Sequence, residues 1–285
     1  MTIADDFDMD DFVARVLAED LGAGGDVTSN ATIAADARFS ASINCREPII
    51  VAGLEIAAAF FRALDPEVAV ELLVSDGDQA PPGTVLMRLD GKARAMLAAE
   101  RSALNTLQHL SGIATLTRRY VDAIAGTGAT LLDTRKTIPG LRTLDKYAAR
   151  MGGATNHRMR LDDGVLIKDN HVAVCGGVSL AVRAAKAANV GLPVQVEVDR
   201  LDQIEPALAA GADRLLLDNM DLAALRQAVA VVAGRVPLEA SGGVNLGTIR
   251  GIAETGVDYI SVGRITQSAP AVDIGLDYEL QRSSV

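Results

Sequence analysis

Tryptophan is absent from this chain, and aromatic residues together make up only 3% of it. The apolar content is therefore mainly Ala, Val, Leu and Ile, which suits packed layers of helix and sheet. There are two cysteines, Cys45 and Cys175, and nothing in their spacing marks a disulfide framework or a zinc site. Reduced thiols in a cytoplasmic protein are the expectation. Cations are in deficit: 27 Lys and Arg against 37 Asp and Glu give a formal net charge of −10. That balance argues against nucleic acid and anionic membrane as partners. It leaves small anionic substrates open, because a local basic pocket can sit inside an acidic protein. No apolar run is long enough to cross a bilayer. The start of the chain, with Asp5, Asp6, Asp8, Asp10 and Asp11, lacks the basic and apolar regions of a signal peptide.

What is present is material for a large core, since 49% of the 285 residues are hydrophobic. That length suggests two domains, or a barrel with an appended one. The second half repeats short apolar runs, each ending in a polar or glycine-rich cluster: 130–134 (TLLDT), 165–168 (VLIK), 193–199 (PVQVEVD), 214–219 (RLLLDN), 237–243 (PLEASGG) and 259–263 (YISVG). Continuous runs of this length fit strands of a parallel sheet buried on both faces. Helical stretches lie between the later runs, at 178–189, 201–210, 222–233 and 246–255, and Gly211, Gly234 and Gly256 fall where C-terminal caps are expected. Glu197, Asp218 and Glu239 recur at intervals of 21 residues, the length of one βα unit. No early GxGxxG follows a strand, so a (β/α) barrel is favoured over an open doubly wound sheet.

The first hundred residues read as a smaller α+β domain. A helix is expected over 9–20, with Phe12, Val13, Val16 and Leu17 on its apolar side, followed by strands near 39–44, 49–52, 68–74 and 85–89. A helix from Lys92 to about Leu110, a break at Ser111-Gly112 and a second helix toward Ala125 place the domain boundary near Gly112. The fold class is thus α/β, a (β/α) barrel that follows a smaller α+β domain.

Active sites of βα barrels lie at the C-terminal ends of the strands. Here those ends carry Asp133-Thr134-Arg135-Lys136, Lys168-Asp169-Asn170-His171, Glu197 with Asp199, Asp218-Asn219, Ser241-Gly242-Gly243 and Gly263. The last two match the usual phosphate site of such barrels, where small residues let backbone N–H groups approach the anion. Arg135, Lys136, His157, Arg158 and Lys168 form a basic set, with Arg135-Lys136 and Lys168 at successive strand ends and His157-Arg158 on the loop between, and such a set needs anions; arginine forks suit planar carboxylates, lysine suits phosphate. Glu197 and Asp218, on apolar runs, must be paired or bind something, with nearby lysines, Mg²⁺ or sugar hydroxyls as candidates. Arg101 follows Leu97 by four residues and precedes Leu104 by three, which places it on or beside an apolar stripe of its helix. It is either a snorkelling stem at a helix interface or a guanidinium delivered to a neighbouring site.

The stretches AERSALNTLQHLSGIAT, LLDTRKTIPGLR, KYAARMGGATNHR, VLIKDNH, VQVEVD, LLLDNM, LEASGGV and DYISVGR resemble the quinolinate phosphoribosyltransferase family. The resemblance runs from about Glu19 to Asp277, and the fold it implies is an open (β/α) barrel over 112–268 with an N-terminal α+β sandwich domain over 1–111, joined by the C-terminal segment 269–285. It implies transfer of a phosphoribosyl group from phosphoribosyl pyrophosphate to quinolinate with loss of CO₂, on the de novo route to NAD, with Mg²⁺ and no organic cofactor. It also implies a homodimer in which Arg101 completes the neighbouring subunit's site. Carried over by motif, Arg101, Arg135, His157, Arg158 and Lys168 would hold quinolinate, with Thr134 counted among the substrate-binding residues. Lys136 and Lys168 would face the phosphates, and Glu197 and Asp218 the ribose hydroxyls and the metal. Together Lys136, Lys168, Glu197 and Asp218 form the catalytic set. Ser241, Gly242, Gly243 and Gly263 would cradle the 5′-phosphate. Two departures stand out: Gln267 occupies a usual histidine position in the run that begins at Arg264, and Arg160 replaces a frequent glycine. Two other readings share the scaffold: a molybdenum-associated paralogue, and a Schiff-base barrel lyase using Lys168. The segment 74–89 faintly resembles a lipoyl-type hairpin, but no lysine stands at its tip.

Overall fold

The computed structural model describes residues 7–279. Residues 1–6, with Asp5 and Asp6, and 280–285, the end of the C-terminal segment, lie outside it. The chain divides into two compact units. Among the described residues the first comprises 7–116, 143–152 and 269–279, the second 117–142 and 153–268.

The first unit is built on two antiparallel sheets that use β1 (Arg38–Cys45), β2 (Ile49–Ile50), β3 (Ala69–Leu72), β4 (Gln79–Ala80) and β5 (Val85–Lys92). Its four-stranded part runs in the order β12-β1-β5-β3, where β12 is Ile274–Glu279, and β2 pairs separately with β4. The partner of β1 therefore comes from the far end of the chain, with Ile43 opposite Leu276 and Cys45 opposite Ile274. Helix Met9–Leu21 starts at Asp8, whose carboxylate accepts from the Asp11 N–H at 2.9 Å, as an N-cap should. Its Phe12 meets Phe60 of helix Leu54–Leu64 edge-on at 6.1 Å. Cys45 is buried and Cys175, in the second unit, is exposed; both are free thiols.

Helix Ala93–Ala123 runs unbroken for 31 residues, against the expected break at Ser111-Gly112. Gly112 is there for proximity: a Cβ on it would lie 2.2 Å from the Pro270 carbonyl oxygen, so only glycine admits the crossing backbone. The unit boundary falls within this helix, at Leu116. Helix Arg142–Met151, within the stretch assigned to the barrel from sequence, belongs to the first unit. Its fully buried Asp145 pairs with His109 at 2.8 Å.

The second unit holds a parallel sheet of β6 (Thr130–Leu132), β7 (Val165–Ile167), β8 (Val194–Val198), β9 (Arg214–Asp218), β10 (Leu238–Ser241) and β11 (Tyr259–Ser261), in the order β6-β11-β10-β9-β8-β7. A parallel bridge from Leu132 to Thr155 extends it by one residue beyond β6. All six expected strands are present. Helices Val178–Ala188, Ile204–Ala209, Leu222–Val232 and Ile249–Ala253 connect them, and Gly211, Gly234 and Gly256 close the last three turns with positive φ. The architecture is the expected open form of the (β/α) barrel.

Period-two alternation assigns the faces. Val194, Val196, Val198, Leu215, Leu217, Leu238, Ala240 and Ile260 are buried on the helix-covered side. Gln195, Glu197, Arg214, Leu216, Asp218, Glu239, Ser241, Tyr259 and Ser261 share the other face, in register across the strands. These strands are therefore not apolar on both faces, as their runs suggested. Their inner face is polar because it lines a binding cavity.

Candidate active site

A cavity of about 810 Å³ opens at the C-terminal ends of the parallel strands, lined by residues from five of them and from the segment that follows β6. Its floor is the inner face: Leu166, Leu216, Glu239 and Ser261. Its walls are the strand ends: Thr134 to Lys136 after β6, Lys168 after β7, Glu197, Asp218, Ser241 to Gly243 and Gly263. In a flat sheet, the edge strands β6 and β7 would stand about 24 Å apart at ~4.8 Å per strand. Because residues from both edges line one cavity, the sheet must curl.

Arg135 and Arg158 meet in this wall. Burial holds the Arg158 guanidinium below its ordinary pKa, and the neighbouring charge of Arg135 adds to that. The Nε of Arg135 is buried with no hydrogen-bond partner. Two cations held side by side, one with an unsatisfied donor, call for an anion between them. Arg158 is seated by its Nη1, which donates to the Gly164 carbonyl at 2.7 Å. Lys168 Nζ donates to Glu197 at 3.0 Å. Burial pushes the Asp218 carboxyl up, the negative charge of Glu197 reinforces this, and Asn219, Lys168 and Lys136 oppose it. Two carboxylates thus crowd each other beside two lysines.

The glycines serve by close approach. Gly242 has φ +90°, and a Cβ there would run into Asn219 Oδ1 at 2.2 Å; one on Gly263 would meet Lys136 Cδ at 2.8 Å. Asn219, itself at φ +54°, donates its backbone N–H to the Ser241 carbonyl and its side-chain amide to Asp218. Asn219 is a site residue to which the sequence reading gave no role, although LLLDN displayed it at a strand end. Arg264, Gln267 and Asn245 also line the cavity.

The family profile described as quinolinate phosphoribosyl transferase, N-terminal domain, matches residues 26–111, and that of the C-terminal domain matches 113–277. This chain belongs to the quinolinate phosphoribosyl transferase family. Nicotinate-nucleotide pyrophosphorylase [carboxylating] of Mycobacterium leprae is 45% identical over 275 residues, covering 94% of this chain and 96% of that protein. Its chloroplastic counterpart in Oryza sativa subsp. japonica is 40% identical over 294 residues, covering 96% of this chain and 79% of that protein. The crystal structure of nicotinate-nucleotide pyrophosphorylase from Ehrlichia chaffeensis matches with a TM-score of 0.92 at 41% identity, covering 96% of this chain and 100% of that one.

Of the residues that the family resemblance singled out, Thr134, Arg135, Lys136, His157, Arg158, Lys168, Glu197, Asp218, Ser241, Gly242, Gly243 and Gly263 all line the cavity. Arg101 does not. It is exposed, on a strip of its helix with Leu97 (37% exposed) and Asn105, while the buried side is Met96, Ala99, Ala103, Leu104 and Leu107. The expected placement of Arg101 on the apolar stripe is thereby corrected: Leu97 is not part of that stripe. His157 also differs from a free cation. Its Nδ1 accepts the Arg158 backbone N–H at 2.8 Å, so the ring proton sits on Nε2, which faces buried Glu239 at 3.4 Å.

Proposed function

We propose that this chain transfers the phosphoribosyl group of phosphoribosyl pyrophosphate to quinolinate, releasing pyrophosphate and CO₂ and giving nicotinate mononucleotide for NAD biosynthesis. One observation carries this reading: Arg135 and Arg158 crowd together in the cavity wall with the buried Nε of Arg135 unsatisfied. A planar dicarboxylate would relieve both the repulsion and the open donor.

Arg135, Arg158 and Lys168 would hold the carboxylates, with Thr134 beside them. Lys136 and Lys168 would neutralise the diphosphate, while Ser241, Gly242, Gly243 and Gly263 take the 5′-phosphate. The pyridine nitrogen attacks C1 of the ribose as the C1–O bond to pyrophosphate breaks. Ring nitrogen becomes cationic, so the electron pair of the departing carboxylate's C–C bond is stabilised on the ring carbon. Protonation of that carbon completes the product. The protein's part is alignment and charge.

Glu197 and Asp218 fit a Mg²⁺ ion arriving with the diphosphate. The two carboxylates are close enough for one charge to raise the other's pKa. Among the described residues no group of three or more His, Cys, Asp or Glu could hold a metal alone. One or two carboxylates plus substrate phosphates is how Mg²⁺ is usually held, and it would offset charge on the leaving diphosphate. The exposed strip of Leu97, Arg101 and Asn105 supports a homodimer in which Arg101 enters the partner's cavity; sedimentation at the mass of two chains checks it. Among the described residues no helix is long and apolar enough to cross a membrane, and a cytoplasmic enzyme is the accompanying proposal.

Incubation of the purified chain with quinolinate, phosphoribosyl pyrophosphate and Mg²⁺ should yield nicotinate mononucleotide and CO₂ in equal amounts. Absence of both would end this reading.

A further inference from the structure

Glu197, Asp218 and Glu239 repeat at 21-residue intervals, yet the third takes no part in the scheme above. Glu239 is 0% exposed and lies deeper than the other two, at the floor of the cavity. Its Oε2 accepts from Gln195 Nε2 at 2.8 Å, stands 3.8 Å from Arg214 Nη1 and 3.4 Å from His157 Nε2. Arg214 in turn has its guanidinium face over the Tyr259 ring, 4.1 Å from the centroid. β8, β9, β10 and β11 each contribute one member to this layer. Burial pushes the Glu239 carboxyl up, but hydrogen bonds from His157, Gln195 and Ser261 hold it below the ordinary range. It is a carboxylate deep in a cavity whose walls are cationic.

His157 is fixed from both ends. Its backbone N–H donates to Asp133 Oδ1 at 2.7 Å, and Asp133 is itself fully buried and accepts from the Asn156 side chain. Its ring bridges Glu239 below and the Arg158 backbone N–H above. The opposite tautomer would set a ring proton against the Arg158 N–H and a lone pair against Glu239, so the carboxylate and the Arg158 N–H together select the ring protonated at Nε2. Arg158 must be held firmly because Arg135 repels it.

We propose that Glu239 is a positioning residue acting through His157: it fixes the imidazole so that Nδ1 anchors the backbone of Arg158, and thereby sets the Arg158 guanidinium opposite Arg135 in the carboxylate-binding wall. This rests on the function proposed above, and on nothing else outside the unliganded protein. The competing account makes Glu239 only the counter-ion of Arg214 in the barrel interior.

The test has two arms. The first uses the wild-type chain, without substrate, labelled with ¹⁵N in its histidine rings. There are 3 histidines, and the His157 signals are those lost in His157→Asn. Nδ1 unprotonated and Nε2 protonated is expected, with that preference lost in Glu239→Gln. Protonated Nδ1 in the wild type, or an unchanged ring in Glu239→Gln, would overturn the proposal. The second arm is kinetic. Glu239→Gln should raise the KM for quinolinate by about tenfold, the low end of the loss when a partner that orients a metal-ligating histidine is removed, and change the KM for phosphoribosyl pyrophosphate by less than about twofold. In the His157→Asn background the same substitution should add nothing. Equal losses in both backgrounds, or a lower melting temperature with unchanged KM values, would assign Glu239 to the core alone. If the wild type makes no nicotinate mononucleotide, the function fails, while the ring measurement still decides the role of Glu239.

Discussion

The two faces of the parallel sheet are made by the same six strands and obey opposite rules. On the outer face Val194, Val196, Val198, Leu215 and Leu217 are all 2% exposed or less, under helices. On the inner face, one residue along each strand, stand Gln195, Glu197, Arg214, Asp218 and Glu239. Burial of each outer side chain favours folding by about 1.5–3 kcal/mol. The inner groups contribute little to stability and part of it in reverse, since like charges are held together there for a ligand to neutralise. Stability and chemistry are separated by a single step along the backbone.

That separation can be broken in three places. The largest effect belongs to Arg135→Ala, which should lower turnover by about a thousandfold, in the range for loss of a preorganised electrostatic contact, while the melting temperature holds. Steady-state kinetics beside calorimetry reads both; equal collapse of the two would deny the division. Next comes Leu217→Ala on the outer face, where a fully buried side chain is lost. Urea titration should show about 2–5 kcal/mol of destabilisation, with KM values unmoved at temperatures where the variant is folded. The smallest effect is the most diagnostic. The Asp218 carboxyl is raised by burial and by Glu197, so stability tied to it is complete below the ordinary carboxylate range and lost as pH rises through the raised value. Asp218→Asn should therefore raise the melting temperature at neutral pH by about 2 °C while reducing turnover. The gain should vanish near pH ~3, where the carboxyl is protonated folded or unfolded. A variant less stable than wild type at pH 7 would contradict it.

Much of the sheet was legible because its strands are short apolar blocks set off by glycine and polar clusters, and ten of the twelve candidates that line the cavity stand at or near those block ends, His157 and Arg158 lying on the loop between two blocks. The alternation within the blocks was harder to read. In VQVEV the polar members look like intrusions into an apolar run, and only register with RLLLD and LEAS shows that they share a face. Arg101 was misplaced because Leu97 is apolar without being buried. Gly112 looked like a helix break because sequence does not reveal the Pro270 carbonyl beside it. Helix Arg142–Met151 went unread: its hydrophobic pattern is interrupted by Asp145 and Lys146, whose burial depends on tertiary partners such as His109.

The pairing of β12 with β1 has a temporal meaning. Residues 274–279 are synthesised after every strand of the parallel sheet, yet they form an edge of a sheet whose other strands are complete by residue 92. During translation the nascent N-terminal sheet must wait with β1 unpaired on one side while the whole barrel is made. An open strand edge of that kind invites association with other chains. The order of the strands along the chain thus leaves the first unit open while the barrel is made, and closes it only afterwards.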